Sequence, residues 1–269
     1  MMFGWINPEA YSINSFLLLE EFQIRLALEN RGWKKDKEGW NKKMGIVLVA
    51  NPVIAWYFKN RAPKVAHIVD ELIAVAPTVS KEETRDAEIA LLLAHEDFTI
   101  HTTPEKMASS CDYIRGWNKE RLFDLADVEG KIVLDIGAGS GRLTFAAAEK
   151  AQMVYAVEPV GTLREFMREK IKAEEIKNVH VTDGFVEHIP YPDGLFDIVM
   201  SGHVIGDDLD AELSEMARVC KSGGVMLNVP GDSEFHIGAY RELVERGWEE
   251  IHYVGSYGKD VHIHRKVKR

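Results

Sequence analysis

Cysteine is scarce in this chain. Cys111 and Cys220 are its two, they lie far apart, and they cannot build a disulfide framework, which fits a reducing, cytoplasmic setting. No apolar run reaches the roughly 18 residues that a bilayer-spanning helix needs, so no membrane association is expected. Basic residues are outnumbered, 33 Lys and Arg against 43 Asp and Glu, and the formal charge of −10 argues against a general phosphate-binding face and so against nucleic acid as a partner. The opening stretch M-M-F-G-W-I-N-P-E lacks the basic region of a signal peptide. The one basic cluster, His264 to Arg269, reads as a solvated tail. Metal-site spacing is missing too: H-E-x-x-H does not occur, and His95, Glu96 and His101, like His67 and Glu71, read as structural or surface residues. No metal is expected.

What remains is 269 residues, 46% of them hydrophobic, enough for one large domain or one domain with a helical extension. Residues 1 to about 127 read as mostly helical. Pro8 to Asn30 carries Phe16, Leu17, Leu19, Phe22, Leu26 and Leu28 as a broad helical stripe stopping at Gly32, and Trp33 to Lys43 reads as a loop with some helix. Pro52 and Pro63 look like first-turn prolines, and Ser80 with Glu83 forms a capping box that launches a helix through about Phe98. Thr103, Pro104 and Glu105 resemble another helix start. From Lys131 the pattern becomes strand, helix, strand, helix, which predicts a mainly parallel sheet covered on both faces.

That change begins at V-L-D-I-G-A-G-S-G-R-L-T, Val133 to Thr144. Ile132 to Ile136 reads as a buried strand, Gly137, Gly139 and Gly141 as a tight turn, and Gly141 to Lys150 as a helix. Gly137 lets the chain leave the strand sharply, Gly139 admits a ligand close to the backbone, and Gly141 lets the helix start against the sheet. Asp135 stands near the strand's carboxyl end, where open α/β sheets bind ligands. A dinucleotide fold would need G-x-G-x-x-G or G-x-G-x-x-A, and Arg142 occupies the third position. Met153 to Val157 reads as the second strand and ends in Glu158, where a carboxylate can accept hydrogen bonds from both hydroxyls of a ribose. Dinucleotide enzymes share that feature, so it indicates an adenosine ligand without choosing one.

The stretch V-L-D-I-G-A-G-S-G resembles the first motif of the class I S-adenosylmethionine (SAM) dependent methyltransferases, of the small-molecule, type 11-like kind, in which this loop wraps the methionine part of the cofactor. The resemblance runs from about Asp112 to the C-terminus. It implies an α/β, Rossmann-like fold with a mainly parallel seven-stranded sheet and helices on both faces, over 111–269, with residues 1–110 an all-helical extension. It implies a cofactor site built from Asp135, Gly137, Ala138, Gly139, Gly141, Glu158 and Pro159. Asp183 and Gly184 would meet the adenine, with Phe185 or Val186 near its ring face. F-D-I-V opens the central strand, after which Ser201, Gly202 and His203 would border the methyl sulfonium. In many members an aromatic segment just upstream closes the pocket, a role open to Tyr113, Arg115 and Trp117, with Arg115 a candidate partner for the methionine carboxylate.

His203, which titrates near neutral pH, is the candidate general base. Where enzymes of DNA bases or glutamine amides carry N-P-P-Y or D-P-P-Y, this chain has M-S-G-H, which favours a small-molecule acceptor. Asp207 and Asp208 read as helix caps rather than metal ligands. The expected products are S-adenosylhomocysteine (SAH) and a methylated small molecule. A hydride-transferring oxidoreductase, a non-catalytic SAM- or SAH-binding scaffold, and a methyltransferase of protein or RNA are the alternatives. The N-terminal helices are candidates for a lid, a substrate-recognition cap or a homodimer surface.

Overall fold

The computed structural model describes residues 4–29, 36–231, 237–255, 258 and 260–269. It divides into two compact units, Met1–Lys106 and Met107–Arg269. In the first, short 3-10 turns at Pro8–Ala10 and Ile13–Leu18 precede α1 (Glu21–Glu29), α2 (Lys37–Ala50), α3 (Pro52–Arg61), a 3-10 turn at Pro63–Val65, α4 (Ala66–Ala74), α5 (Lys81–Ala94) and α6 (Glu96–His101), and α7 (Pro104–Ser110) contains the boundary.

The single helix expected over Pro8 to Asn30 is broken into three pieces because polar side chains restart the chain. The Asn7 and Ser12 side chains accept from the N–H groups of Glu9 and Asn14, each at 3.2 Å, and Gln23 Oε1 accepts from Glu20 N at 3.0 Å. Phe16, Leu19, Ile24 and Leu28 nevertheless all enter one core. The stop at Gly32 lies outside the described residues. The loop expected through Lys43 is helix from Lys37, launched by Asp36, whose side chain accepts from Gly39 N at 2.8 Å. Pro52 and Pro63 stand at helical first turns, and the Ser80–Glu83 capping box is present in both directions.

The helix after Ser80 ends at Ala94, earlier than Phe98, and breaks at His95. There the buried Glu96 carboxylate accepts from the backbone N–H groups of Gly4, Trp5 and Ile6, at 3.3, 2.5 and 3.1 Å. His101 is half-buried, and desolvation pushes it down to about 4, while His67 and Glu71 are exposed.

The second unit continues with α8 (Glu120–Leu125), β1 (Ile132–Ile136), α9 (Arg142–Ala148), β2 (Met153–Val157), α10 (Gly161–Ala173), β3 (Val179–Thr182), β4 (Phe196–Ser201), α11 (Leu209–Val219), β5 (Cys220–Asn228), α12 (Ile237–Glu245), β6 (Glu249–Val254) and β7 (Asp260–Val267). Seven strands form one sheet in the order β3-β2-β1-β4-β5-β7-β6. The first five are parallel to their neighbours, and β7 and β6 are added antiparallel. Alternation along the strands feeds two cores. Val133, Ile198 and Leu227 pack with α8 and α9 on one face; Leu134, Ile136 and Val199 pack with α11 and α12 on the other.

His264 to Arg269 is no solvated tail. Most of it belongs to β7, where His264 is fully buried and Arg265 donates to Leu125 O at 3.0 Å. Asp208 caps α11 by accepting from Ala211 N, and the buried Glu212 accepts from the N–H groups of Gly206, Asp207 and Asp208. Among the described residues no helix is long and apolar enough to cross a membrane.

Candidate active site

The reversal of strand order between β1 and β4 opens a crevice at the strands' carboxyl ends, the place where open α/β sheets bind ligands. The loop leaving β1 folds across the end of β2: Gly137 N and Ala138 N both donate to Val157 O, at 2.8 and 3.1 Å. Gly137 has φ +64, and a Cβ there would stand 2.1 Å from Val204 Cγ1 in the loop after β4. Only glycine satisfies both the left-handed backbone and that contact. Gly139 faces more open space, its nearest neighbour on the Cβ side being Met107 Cε at 3.4 Å. Gly141 ends the loop as the N-cap of α9, so the helix begins at Arg142 rather than at the glycine itself.

Two acids secure this loop from below. Asp135 is buried in β1 and accepts from Thr144 Oγ1 of α9 at 2.6 Å, which ties the far end of the loop to the strand. Burial pushes it up to about 6, against the pull of Thr144 and Arg142. One of its carboxylate oxygens is held by Thr144. Glu158, directly after β2, holds the loop's crest: Oε2 accepts from Gly139 N at 2.8 Å and Oε1 from Val160 N at 2.9 Å. Burial pushes Glu158 up to about 7, with those two N–H groups and Arg164 lowering it and Asp135 raising it. Each carboxylate oxygen keeps a second lone pair for a further donor. Pro159, beside it, is half-buried.

Arg164 of α10 bridges to the next strand end, donating from Nη1 to Glu158 O at 2.8 Å and to Asp183 Oδ1 at 3.0 Å. The Asp183 side chain is 69% exposed. Gly184 is closely packed, since a Cβ there would come within 2.9 Å of both Val157 Cγ1 and Pro190 Cδ. Phe185 is exposed, whereas Val186 is buried in the core with Ile136 and Val157.

At the end of β4, Ser201 is buried and Gly202 backs onto Val229 O and the Arg142 guanidinium. His203 follows with φ +65, a left-handed backbone that is uncommon for a residue with a side chain and a recurrent mark of functional sites. Its ring lies 4.3 Å, centroid to centroid, from the Tyr113 ring, so two segments far apart in sequence meet there. Burial pushes the Tyr113 phenol well above its usual range. Trp117 stacks under the Arg142 guanidinium at 4.6 Å. Arg115 is exposed, in the turn after Cys111. The arginine brought among Trp117, Gly202 and Gly231 is Arg142, which donates from Nη2 to Val229 O at 2.5 Å.

Sequence reasoning therefore missed Thr144, Arg142 and Arg164. Arg142 was visible only as the residue that spoils a dinucleotide fingerprint, and Arg164 was not singled out. Neither has a signal within its own segment, because each acts on residues of another strand or loop.

Residues 133–224 match a family model described as a methyltransferase domain. The chain is 31% identical over 114 residues to demethylmenaquinone methyltransferase of Geobacillus stearothermophilus, covering 40% of this chain and 49% of that protein. It is 30% identical over 135 residues to malonyl-[acyl-carrier protein] O-methyltransferase of Serratia marcescens, covering 49% of each. A SAM-dependent methyltransferase structure from Aquifex aeolicus superposes with a TM-score of 0.51 at 19% identity, covering 61% of this chain and 96% of that one. The chain spans about half the length of the curated relatives it matches.

Proposed function

We propose that the chain is a class I S-adenosylmethionine-dependent methyltransferase that moves the methyl group to a small-molecule acceptor held beside Tyr113 and His203, a reading supported by the match of residues 133–224 to a methyltransferase domain. The observation that carries this reading is the joining of three strand ends: Glu158 grips the glycine loop through Gly139 N, and Arg164 connects Glu158 to Asp183. Such a cradle fits an adenosine with an attached amino acid, and the acids around it suit a cationic donor.

In this reading Glu158 holds the ribose hydroxyls, Asp183 and the Gly184 backbone meet the adenine, the backbone of Gly137 to Gly141 follows the methionine part, and Arg142 supplies the positive charge near its carboxylate. When bound, the cofactor brings a methyl group already activated on a sulfonium. What the chain must add is alignment of the acceptor and, where the acceptor carries a proton, a base. Tyr113 and His203 wall the space past Gly202, and His203 is the group there able to accept a proton at neutral pH. The sequence M-S-G-H at the end of β4 leaves no proline carbonyls to hold a planar amide or base nitrogen, which favours the small-molecule class.

Methyl-labelled SAM incubated with the chain and a panel of small phenols, amines, thiols and carboxylates should give SAH release that depends on the acceptor. With an acceptor found, His203→Ala should lower kcat by about 100-fold or more while SAH affinity stays unchanged. Equal turnover in the variant would remove His203 from the reaction, and transfer only to protein or RNA would overturn the small-molecule assignment.

A further inference from the structure

The far edge of the sheet carries a second concentration of chemistry that the methyl-transfer site does not use. Along β6 and β7 every second residue faces one side. Ile251, Tyr253, Val261 and Ile263 pack into the core shared with α8 and α9. The opposite face presents Glu250 and His252 from one strand and Asp260, His262 and His264 from the other, with Glu250 paired to His264 and His252 to His262. Three of the chain's ten histidines stand in this one patch. A merely solvated strand face has no need for that choice.

The geometry is that of convergent ligands. Glu250 Oε2 lies 3.0 Å from His252 Nε2, and Glu250 Oε1 lies 3.0 Å from His262 Nδ1 and 3.4 Å from His264 Nε2. One ligand atom from each of Glu250, His252 and His262 falls within 4.8 Å of the others. Ligands about 2.1 Å from a tetrahedral ion stand roughly 3.4 Å apart, so small side-chain shifts suffice. Asp260 Oδ2 sits 3.7 Å from His252 Nδ1 and 3.6 Å from His262 Nε2, which are the other nitrogen of each ring. One carboxylate behind two imidazoles is the arrangement that fixes the tautomer of metal-binding histidines.

A separate observation points the same way. His264 is fully buried, and neither of its ring nitrogens has a partner with hydrogen-bonding geometry. Its Nε2 is aimed at Glu250, whose two oxygens already serve two other imidazoles. Leaving such an atom unsatisfied costs about 1–3 kcal/mol, whereas a bound cation would take it as a fourth ligand.

We infer that Glu250, His252, His262 and His264 form a structural site for a divalent transition-metal ion of the zinc class, with Asp260 orienting His252 and His262. Three imidazoles and one carboxylate suit Zn²⁺, Co²⁺ or Ni²⁺ and not Mg²⁺ or Ca²⁺. With Glu250, His252 and His262 converging and His264 set against Glu250, the ion clips an edge hairpin rather than performing chemistry. This inference is independent of the methyl-transfer reading.

The test is titration of the chelator-treated full chain with Co²⁺, followed by visible absorption, and with Zn²⁺ by calorimetry and thermal melting. One tetrahedral Co²⁺ per chain, displaced by Zn²⁺, and a Zn²⁺-dependent rise in Tm that Mg²⁺ does not give are expected. The His252 side chain is 47% exposed, so His252→Ala should fold as judged by circular dichroism, yet bind Co²⁺ at least about 100-fold more weakly. Asp260→Asn should weaken binding by about 10-fold. Absence of the Co²⁺ spectrum in the unmodified chain, or full affinity in His252→Ala, would overturn the site.

Discussion

Replacing Glu158 by glutamine is expected to weaken SAH binding by about 100-fold and to abolish most of its pH dependence. The carboxylate accepts from Gly139 N and Val160 N and retains lone pairs for two further donors. Glutamine turns one acceptor oxygen into a donor, which then faces a loop N–H, that of Gly139 or of Val160. Losing a charged hydrogen bond and opposing that donor costs about 3 kcal/mol, hence the hundredfold figure.

The pH behaviour follows from the same burial. Glu158 titrates at about 7 in the folded chain, so below that value a ligand that needs the carboxylate must first displace a proton. The dissociation constant for SAH should rise by nearly tenfold for each unit of pH below about 7 and level off above it, with proton release on binding. For the ligand-free chain the sign is reversed. A carboxyl whose folded value is raised from 4.5 to about 7 contributes stability that is complete below about 4.5 and lost as pH rises through about 7. Asp135, raised from 3.8 to about 6, acts in the same sense. Ligand-free Glu158→Gln should therefore show a shallower fall in Tm between about pH 5 and 8 than the unmodified chain. A pH-independent SAH affinity in the unmodified chain would remove Glu158 from the ribose.

Gly137→Ala should eliminate measurable SAH binding. Alanine at φ +64 is strained by about 1–2 kcal/mol, and its Cβ would press on Val204 Cγ1 at 2.1 Å. The contact can be relieved by withdrawing the loop, which breaks the Gly137 and Ala138 hydrogen bonds to Val157 O, or by moving Val204, which moves His203 with it. Either escape damages the crevice. Gly130→Ala is the control: it has φ +66 with nothing within 4 Å of its Cβ position. It carries the backbone strain without the clash and should bind SAH as the unmodified chain does. Calorimetric titration of the two variants checks this, and equal affinity would show that the loop tolerates displacement.

Much of this was legible in the sequence because the signals were local. The strand and glycine turn at Val133 to Gly141, the acids closing β2 and β3, and the Ser80 capping box each depend on residues within a few positions of one another. The failures share a different cause. Thr144 on the next helix, which holds one oxygen of Asp135, gives no sign of that pairing in its own segment. The helix expected over Pro8 to Asn30 satisfies the apolar period, yet Asn7, Ser12 and Gln23 offer the backbone competing partners. Arg142 and Arg164 act across elements, and a single sequence carries no record of which loop a helix faces. The basic C-terminal cluster read as a tail because its charges are conspicuous and its strand alternation is not. The histidines of the last hairpin escaped notice as a group because β6 and β7 bring them together only through antiparallel register.

The central claim is that the glycine loop, Glu158 and Asp183 cradle the nucleoside and amino-acid parts of one ligand. Calorimetric titration of the full chain near pH 8 with SAH, and separately with NAD, tests it most directly. The account predicts one SAH per chain, displaced by SAM, and no heat with NAD. Absence of SAH binding, or NAD binding with comparable affinity, would contradict it.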